Sequence, residues 1–307
     1  MDIVKKIKSQ TIQKPLYHYT SQTGLLGIIS KKSIWATAIN YLNDTLEFKY
    51  SMKLIKEELQ WFSDQIKNGE LGEVEEESKY FEMIHDLFEN SISQKFIKDH
   101  FYIFVFSFSE NGDLLSQWRA YCSENSGFNI GFDLKLIQEV VRKQGFYISR
   151  CLYDPGEQKA AIKHLFRQWG LLYIENMDGF SALAKENNID GLTNAVMEVA
   201  SELIDAIVHL CPLLKHPSFA EEKEWRLVSH PISIEHPQVK FREGNSMLVP
   251  YFDLHLTKDT EPLAIKSITI GPTSDPGMSY ESLKAFLKSE KINYDKVEIS
   301  KIPYRSW

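Results

Sequence analysis

Cysteine is scarce in this chain. Its 307 residues include three, Cys122, Cys151 and Cys211, far apart and without CxxC spacing. A disulfide framework and a cysteine zinc site are thereby excluded as organising devices, and a reducing cytoplasm is the expected compartment. Long apolar runs are missing as well. No stretch approaches the roughly 18 consecutive apolar residues that cross a bilayer, and Met1-Asp2-Ile3-Val4-Lys5-Lys6 holds no apolar run of signal-peptide length. The expectation is a soluble, cytoplasmic protein with no membrane partner. There is no excess of positive charge either: 35 Lys and Arg stand against 42 Asp and Glu, a net charge of -7. That argues against a surface built to grip nucleic acid through its phosphates, although net charge says nothing about its distribution. The glycine-rich Walker A and GxGxxG sequences and the GxSxG elbow are absent, which removes most support for kinases, P-loop NTPases, Rossmann dehydrogenases and α/β-hydrolases. The nine histidines are scattered, with no HxxxH or HxH pair. No metal site is expected.

What is present is an ordinary globular composition, 43% hydrophobic and 25% charged, long enough for a sizeable core. Leu16-Tyr17-His18-Tyr19 reads as a strand, with Thr20 or Ser21 capping a helix whose Leu25, Ile28 and Ile29 share one face. Ile34-Trp35-Ala36-Thr37 is a second strand. Asp44 with Glu47 has the form of a capping box before a helix patterned by Phe48, Met52, Ile55, Leu59, Phe62 and Ile66. The acidic stretch from Glu70 to Lys79 reads as a solvated connection to a further helix at about 79–98. The nearly continuous apolar run 101–109 suits a strand covered on both faces. Asp113 is placed to cap a short helix bearing Trp118 and Tyr121. Residues 127–133 alternate as a half-buried strand, and 146–153 form another, with the residues between unassigned. About 157–210 reads as helical, strands return at 224–228, 239–242, 247–256 and 265–270, Asp275-Pro276 starts a helix, and a last strand lies at about 296–301. Ile270-Gly271-Pro272-Thr273 is a turn. The whole, 1–307, is expected to be a single α+β domain with a mixed, mainly antiparallel sheet and helical insertions at about 44–99 and 157–215.

Three groupings can carry chemistry. In Glu221–Val228, alternation puts Glu222, Glu224 and Arg226 on one face and Trp225 and Leu227 on the other. Two carboxylates beside a guanidinium can steady developing positive charge or act as a base; an exposed edge strand with self-neutralising charges is the plainer alternative. His18, at a strand edge between two tyrosines, can bond a ligand hydroxyl or be a satisfied structural group. Ser107, Ser109, Arg119 and Tyr121 can line a pocket with one aromatic plane and several donors.

Taken together, Tyr17-His18-Tyr19-Thr20, Ile34–Thr37, Asn43-Asp44 with Glu47, Phe106–Ser109, Gln117–Tyr121, Gly127 to Asp133 and Glu222–Arg226 resemble the bacterial family catalogued as domain of unknown function 2971, over about 16–273. That family name brings no chemistry with it. More distantly, the order of elements is similar to the ADP-ribosyltransferase fold, whose enzymes open with a histidine-bearing strand and place a glutamate on a later one. The resemblance implies an ADP-ribosyltransferase-like sheet and NAD as substrate. His18 would lie on the ribose, with Tyr19 and Thr20 beside it. Glu224, with Glu222, would stabilise the ribosyl oxocarbenium ion. Ser107, Ser109, Arg119, Tyr121 and Arg226 would line the dinucleotide pocket, Tyr121 against nicotinamide. The usual His-Gly-Thr is here His18-Tyr19-Thr20. The leading expectation is transfer of ADP-ribose to a macromolecular acceptor or to water, without a metal. The alternatives are a non-catalytic sensor or interaction module of the same fold, or, less favoured, a nucleic-acid-processing effector. A toxin or phage-defence role would suit such a protein.

Overall fold

The computed structural model describes residues 7, 12, 14–42, 45–68, 101–121, 127–258 and 261–303. Asn43, Asp44, the acidic connection, the helix expected at 79–98 and Cys122 lie outside them, as do the side chains of Phe48, Phe62 and Ile66. The architecture is mixed α/β, built on a ten-stranded sheet that is antiparallel except where its last two strands pair.

The sheet is organised around β4 (Phe104–Ser109). One edge of β4 pairs along its length with β7 (Glu224–Ser229), from Val105↔Val228 to Ser109↔Glu224. Its other edge is shared. At Ser109 it meets Tyr17 of β1 (Leu16–Ser21), and at Val105 and Phe104 it meets Thr37 and Ala38 of β2 (Ser33–Ala38). The sheet therefore forks. From β1 one arm runs through β5 (Gly127–Phe132) and β11 (Ile265–Ile270) to β12 (Lys296–Ile299). From β2 another runs through β10 (Leu248–His255) to β9 (Val239–Glu243). A third, beyond β7, is β6 (Phe146–Arg150). The expected run 101–109 breaks at Ile103, so that β3 (Phe101–Tyr102) leaves the sheet to pair with β8 (Ile232–Ser233).

Helices cover both faces. On one face, α1 (Gln22–Lys31), α4 (Leu134–Lys143) and α8 (Pro276–Ser289) bury Leu25, Ile28, Ile29, Leu134, Ile137, Val141, Leu283 and Leu287 against Phe104, Phe106, Ile130, Leu227 and Phe252. On the other, α2 (Thr45–Lys67), α5 (Pro155–Glu175), α6 (Met177–Lys185) and α7 (Ile189–Leu210) pack Ile55, Leu59, Ile162, Phe166, Phe180, Val196 and Leu203 over Val105, Val228 and Tyr147. The expected caps form at Ser21, which accepts from Gly24 N, and at Asp275, which accepts from Met278 N. Two expectations need correction. Residues 127–132 are buried on both faces: Phe128, Ile130 and Phe132 join the core under α1, α4 and α8, while the Tyr17 ring over Gly131 and the chain at Gly112, whose carbonyl accepts from Asn129, close the other side. The unassigned stretch after it is α4, capped by Asp133.

Candidate functional site

β7 is not an edge strand. Flanked by β4 and β6, it carries Glu224 and Arg226 inward on the α5–α7 face, where Arg226 is 2% exposed. A charge buried that deeply needs a partner. Arg226 donates from Nε to Glu224 Oε1 at 2.7 Å, from Nη2 to Oε2 at 3.2 Å and from Nη1 to the Pro212 carbonyl at 2.7 Å. The Lys215 ammonium, also buried, donates to both Glu224 and Glu222. Burial alone would raise the Glu224 carboxyl; Arg226 and then Lys215 outweigh it and hold it down at about 2. The cluster is neutral, two carboxylates against two cations. It is tied into the surrounding chain: the Glu224 N–H donates to the Tyr153 hydroxyl at 2.9 Å, and Gln158 donates to the carbonyls of Leu152 and Lys215. Glu222 precedes the strand, at the end of the 3-10 segment Pro217–Glu222.

Other candidates share this face. Ser109, opposite Glu224 in register, donates to the Glu222 carbonyl at 2.8 Å and accepts from Asn111 N. Ser107 is opposite Arg226. Tyr121 ends α3 (Leu115–Tyr121) and is 45% exposed; partial burial, and after it the carboxylates of Glu224 and Glu222, push its hydroxyl above the ordinary value. Arg119 is exposed on the same helix. Tyr19 serves the framework: its hydroxyl donates to the Asn111 carbonyl and accepts from Leu114 N, and its ring meets Trp118 edge-on. Asp113 does not cap α3 as expected. It accepts from the Trp118 indole, the Ser300 hydroxyl and Lys301 N.

His18 lies on the opposite face of the sheet. Directly opposed residues of paired strands project to the same side, and Tyr17, Ser109 and Glu224 are so opposed. His18, one residue on, projects with Ile130 into the α1–α4–α8 layer. Its ring lies 4.1 Å from that of Phe106, and its Nδ1 is 3.0 Å from the Ser107 carbonyl. Burial lowers the imidazole to about 4, against the pull of that carbonyl. Thr20, two residues further along β1, follows His18 to this side and packs on the start of α1 beside Gly24. The expected meeting of His18 and Glu224 in one cleft is therefore not what the register gives. The sheet lies between them.

Sequence reasoning missed Lys215, Tyr153 and Gln158. Lys215 had a signal: a lone charge directly behind the apolar run Leu210-Cys211-Pro212-Leu213-Leu214. Among the described residues, no cluster of His, Cys, Asp or Glu is arranged to hold a metal ion, and no helix is long and apolar enough to cross a membrane.

A family model described as a protein of unknown function, DUF2971, matches residues 117–227. The chain is similar to that family over α3 through most of β7, which includes Glu222, Glu224 and Arg226. The motifs on β1 and β2 lie outside the match. No curated protein and no solved structure matches the chain.

Proposed function

We propose that this protein works as a binding or sensor module, and that its buried charge cluster holds the fold together and is not a centre for cleaving NAD. The observation that carries this reading is the sheet standing between His18 and Glu224. Glu224 adds to it. Both its oxygens are engaged by Arg226 and Lys215, and a carboxyl held near 2 is too weak a base to take a proton at neutral pH.

ADP-ribosyl transfer from NAD, with an ADP-ribosyltransferase-like core and a macromolecular or water acceptor, is the second reading. It is favoured by one arrangement: Glu222, Glu224, Arg226, Ser107 and Ser109 gather on one side of the sheet, next to the exposed Tyr121. A carboxylate fixed in its ionised form can stabilise an oxocarbenium ion without acting as a base. In that version His18 has no part.

Incubation with NAD labelled in its adenylate half, with and without cell extract, separates the two. For a binding module, no nicotinamide is released above the protein-free control, and Glu224→Gln melts several degrees below the wild type. Nicotinamide release by the wild type, abolished in a Glu224→Gln variant that melts normally, would overturn the proposal in favour of the enzyme.

A further inference from the structure

Among the described residues the large sheet ends on three outer strands, β6, β9 and β12. β6 is buried from Phe146 to Ser149, and β12 has Lys296 and Glu298 neutralising each other at 2.8 Å. β9 is the open one. Its register against β10 is unbroken from Val239↔Phe252 to Glu243↔Leu248. In an antiparallel pair the backbone groups of alternate residues turn toward the neighbour and away from it. The Asp253 N–H donates to the Gln238 carbonyl, so Tyr251 and Val249 also face β9, and their partners Lys240 and Arg242 face back. Phe241 and Glu243 therefore turn their N–H and C=O groups outward, where no described strand meets them.

Side chains along this edge differ between the two sides of the sheet. Lys240 and Arg242 project to one side, and Val239, Phe241 and Glu243 to the other. Lys240 is neutralised by Asp253 at 2.6 Å. Arg242 donates to the Thr37 hydroxyl at 3.4 Å, and no carboxylate of a described residue pairs with it. On the other side Val239 packs against the core, while Phe241 is 54% exposed and Leu248, opposite Glu243, is 66% exposed. Basic side chains on a sheet edge have a plain use, which is to keep it from pairing with its own kind. Two antiparallel β9 strands joined through Phe241 would set Lys240 against Arg242 of the second copy; centred one residue further on, they would set Arg242 against itself. A second copy is thus repelled. That use does not explain two large apolar side chains left in water at the same corner, and it does nothing against a strand of opposite charge.

We propose that the β9 edge takes up an extended segment of an acidic partner protein as an added strand, bonded main chain to main chain at Phe241 and Glu243. The segment's carboxylates lie beside Lys240 and Arg242 and its apolar side chains beside Phe241, so it alternates acidic and apolar residues. No residue of this edge belongs to the charge cluster, so the proposal holds whichever way the NAD experiment falls.

Titration of the full chain into a fluorescent peptide of about seven residues, alternating valine and glutamate, tests it by anisotropy. The wild type is expected to bind this peptide, less tightly as salt rises, and to bind a lysine-for-glutamate version about tenfold or more weakly. Phe241→Pro removes an N–H that the sheet does not use, so this variant should melt as the wild type does and bind about tenfold or more weakly. Arg242→Glu should invert the preference between the two peptides, and it decides the matter should the proline variant melt low. Absence of binding by the wild type, undiminished binding by Phe241→Pro, or an unchanged preference in Arg242→Glu would overturn the proposal. So would a wild-type dimer in sedimentation equilibrium that Phe241→Pro dissolves, since it gives the edge to a second copy.

Discussion

Among single side chains, Glu224 and Arg226 have the sharpest consequences. A buried ion pair adds little over a well-packed apolar pair, yet losing one partner is costly because the other stays desolvated. Glu224→Gln leaves Lys215 on the carboxylate of Glu222 and Arg226 with no carboxylate of its own, two buried cations against one anion. The expected loss is about 3 kcal/mol of stability. Glu224→Met with Arg226→Met removes a neutral pair and leaves Lys215 to Glu222, so the double variant should unfold at higher urea than Glu224→Gln alone. If it unfolds at lower urea, the two groups are not acting as a pair. These residues were marked in the sequence because two carboxylates and a guanidinium alternate within five positions. Their burial was not, since a charged row reads equally well as an exposed edge.

Among elements, the contact of α3 with the end of β11 is held by Gly271. A methyl group there would come within 2.9 Å of the Trp118 ring and 3.0 Å of the Gly127 carbonyl. Neither can retreat, because Trp118 is fully buried with its indole bound to Asp113, and the Gly127 carbonyl accepts from Gly271 N. Gly271→Ala should cost on the order of 2 kcal/mol and alter the near-ultraviolet circular dichroism of the tryptophans. Gly27→Ala, inside α1 with nothing within 4 Å, should instead gain about 0.5–1 kcal/mol, which thermal unfolding would record. Most elements were legible because a period of two or of 3.6 is written locally, as in Leu25, Ile28 and Ile29. Helix α4 carries the same local signal, Asp133 as cap and Leu134, Ile137 and Val141 on one face. What no local pattern carries is the parity between strands. Alternation tells that His18 and Tyr17 point opposite ways; only the pairing Tyr17↔Ser109↔Glu224, across some two hundred residues, tells which of them shares a side with Glu224.

For the whole molecule, acid should act in two stages. His18 is at about 4 in the fold against 6.5 unfolded, so the unfolded chain binds more protons between those values. Its contribution is complete above about 6.5 and is lost as pH falls toward 4. It is on the order of 2 kcal/mol, discounted because the ring is only part-buried. Glu224 moves from 4.5 to about 2, so its contribution is present above 4.5 and fades as pH falls toward 2. Urea unfolding followed from pH 7 to 3 should show both slopes, and His18→Gln should flatten only the upper one; a slope unchanged in that variant would contradict the assignment.

The branching at β4 bears on how the family match is understood. Residues 117–227 contain β5, β6 and most of β7, but the neighbours that complete their hydrogen bonding, β1, β4 and β11, come from before and after that interval. The stretch most recognisable in sequence is thus a set of middle slats from a lattice whose rails are threaded from both ends of the polypeptide. Excised, it would present raw strand borders on either side. The similarity is concentrated there, while the means of standing upright is spread over the full length.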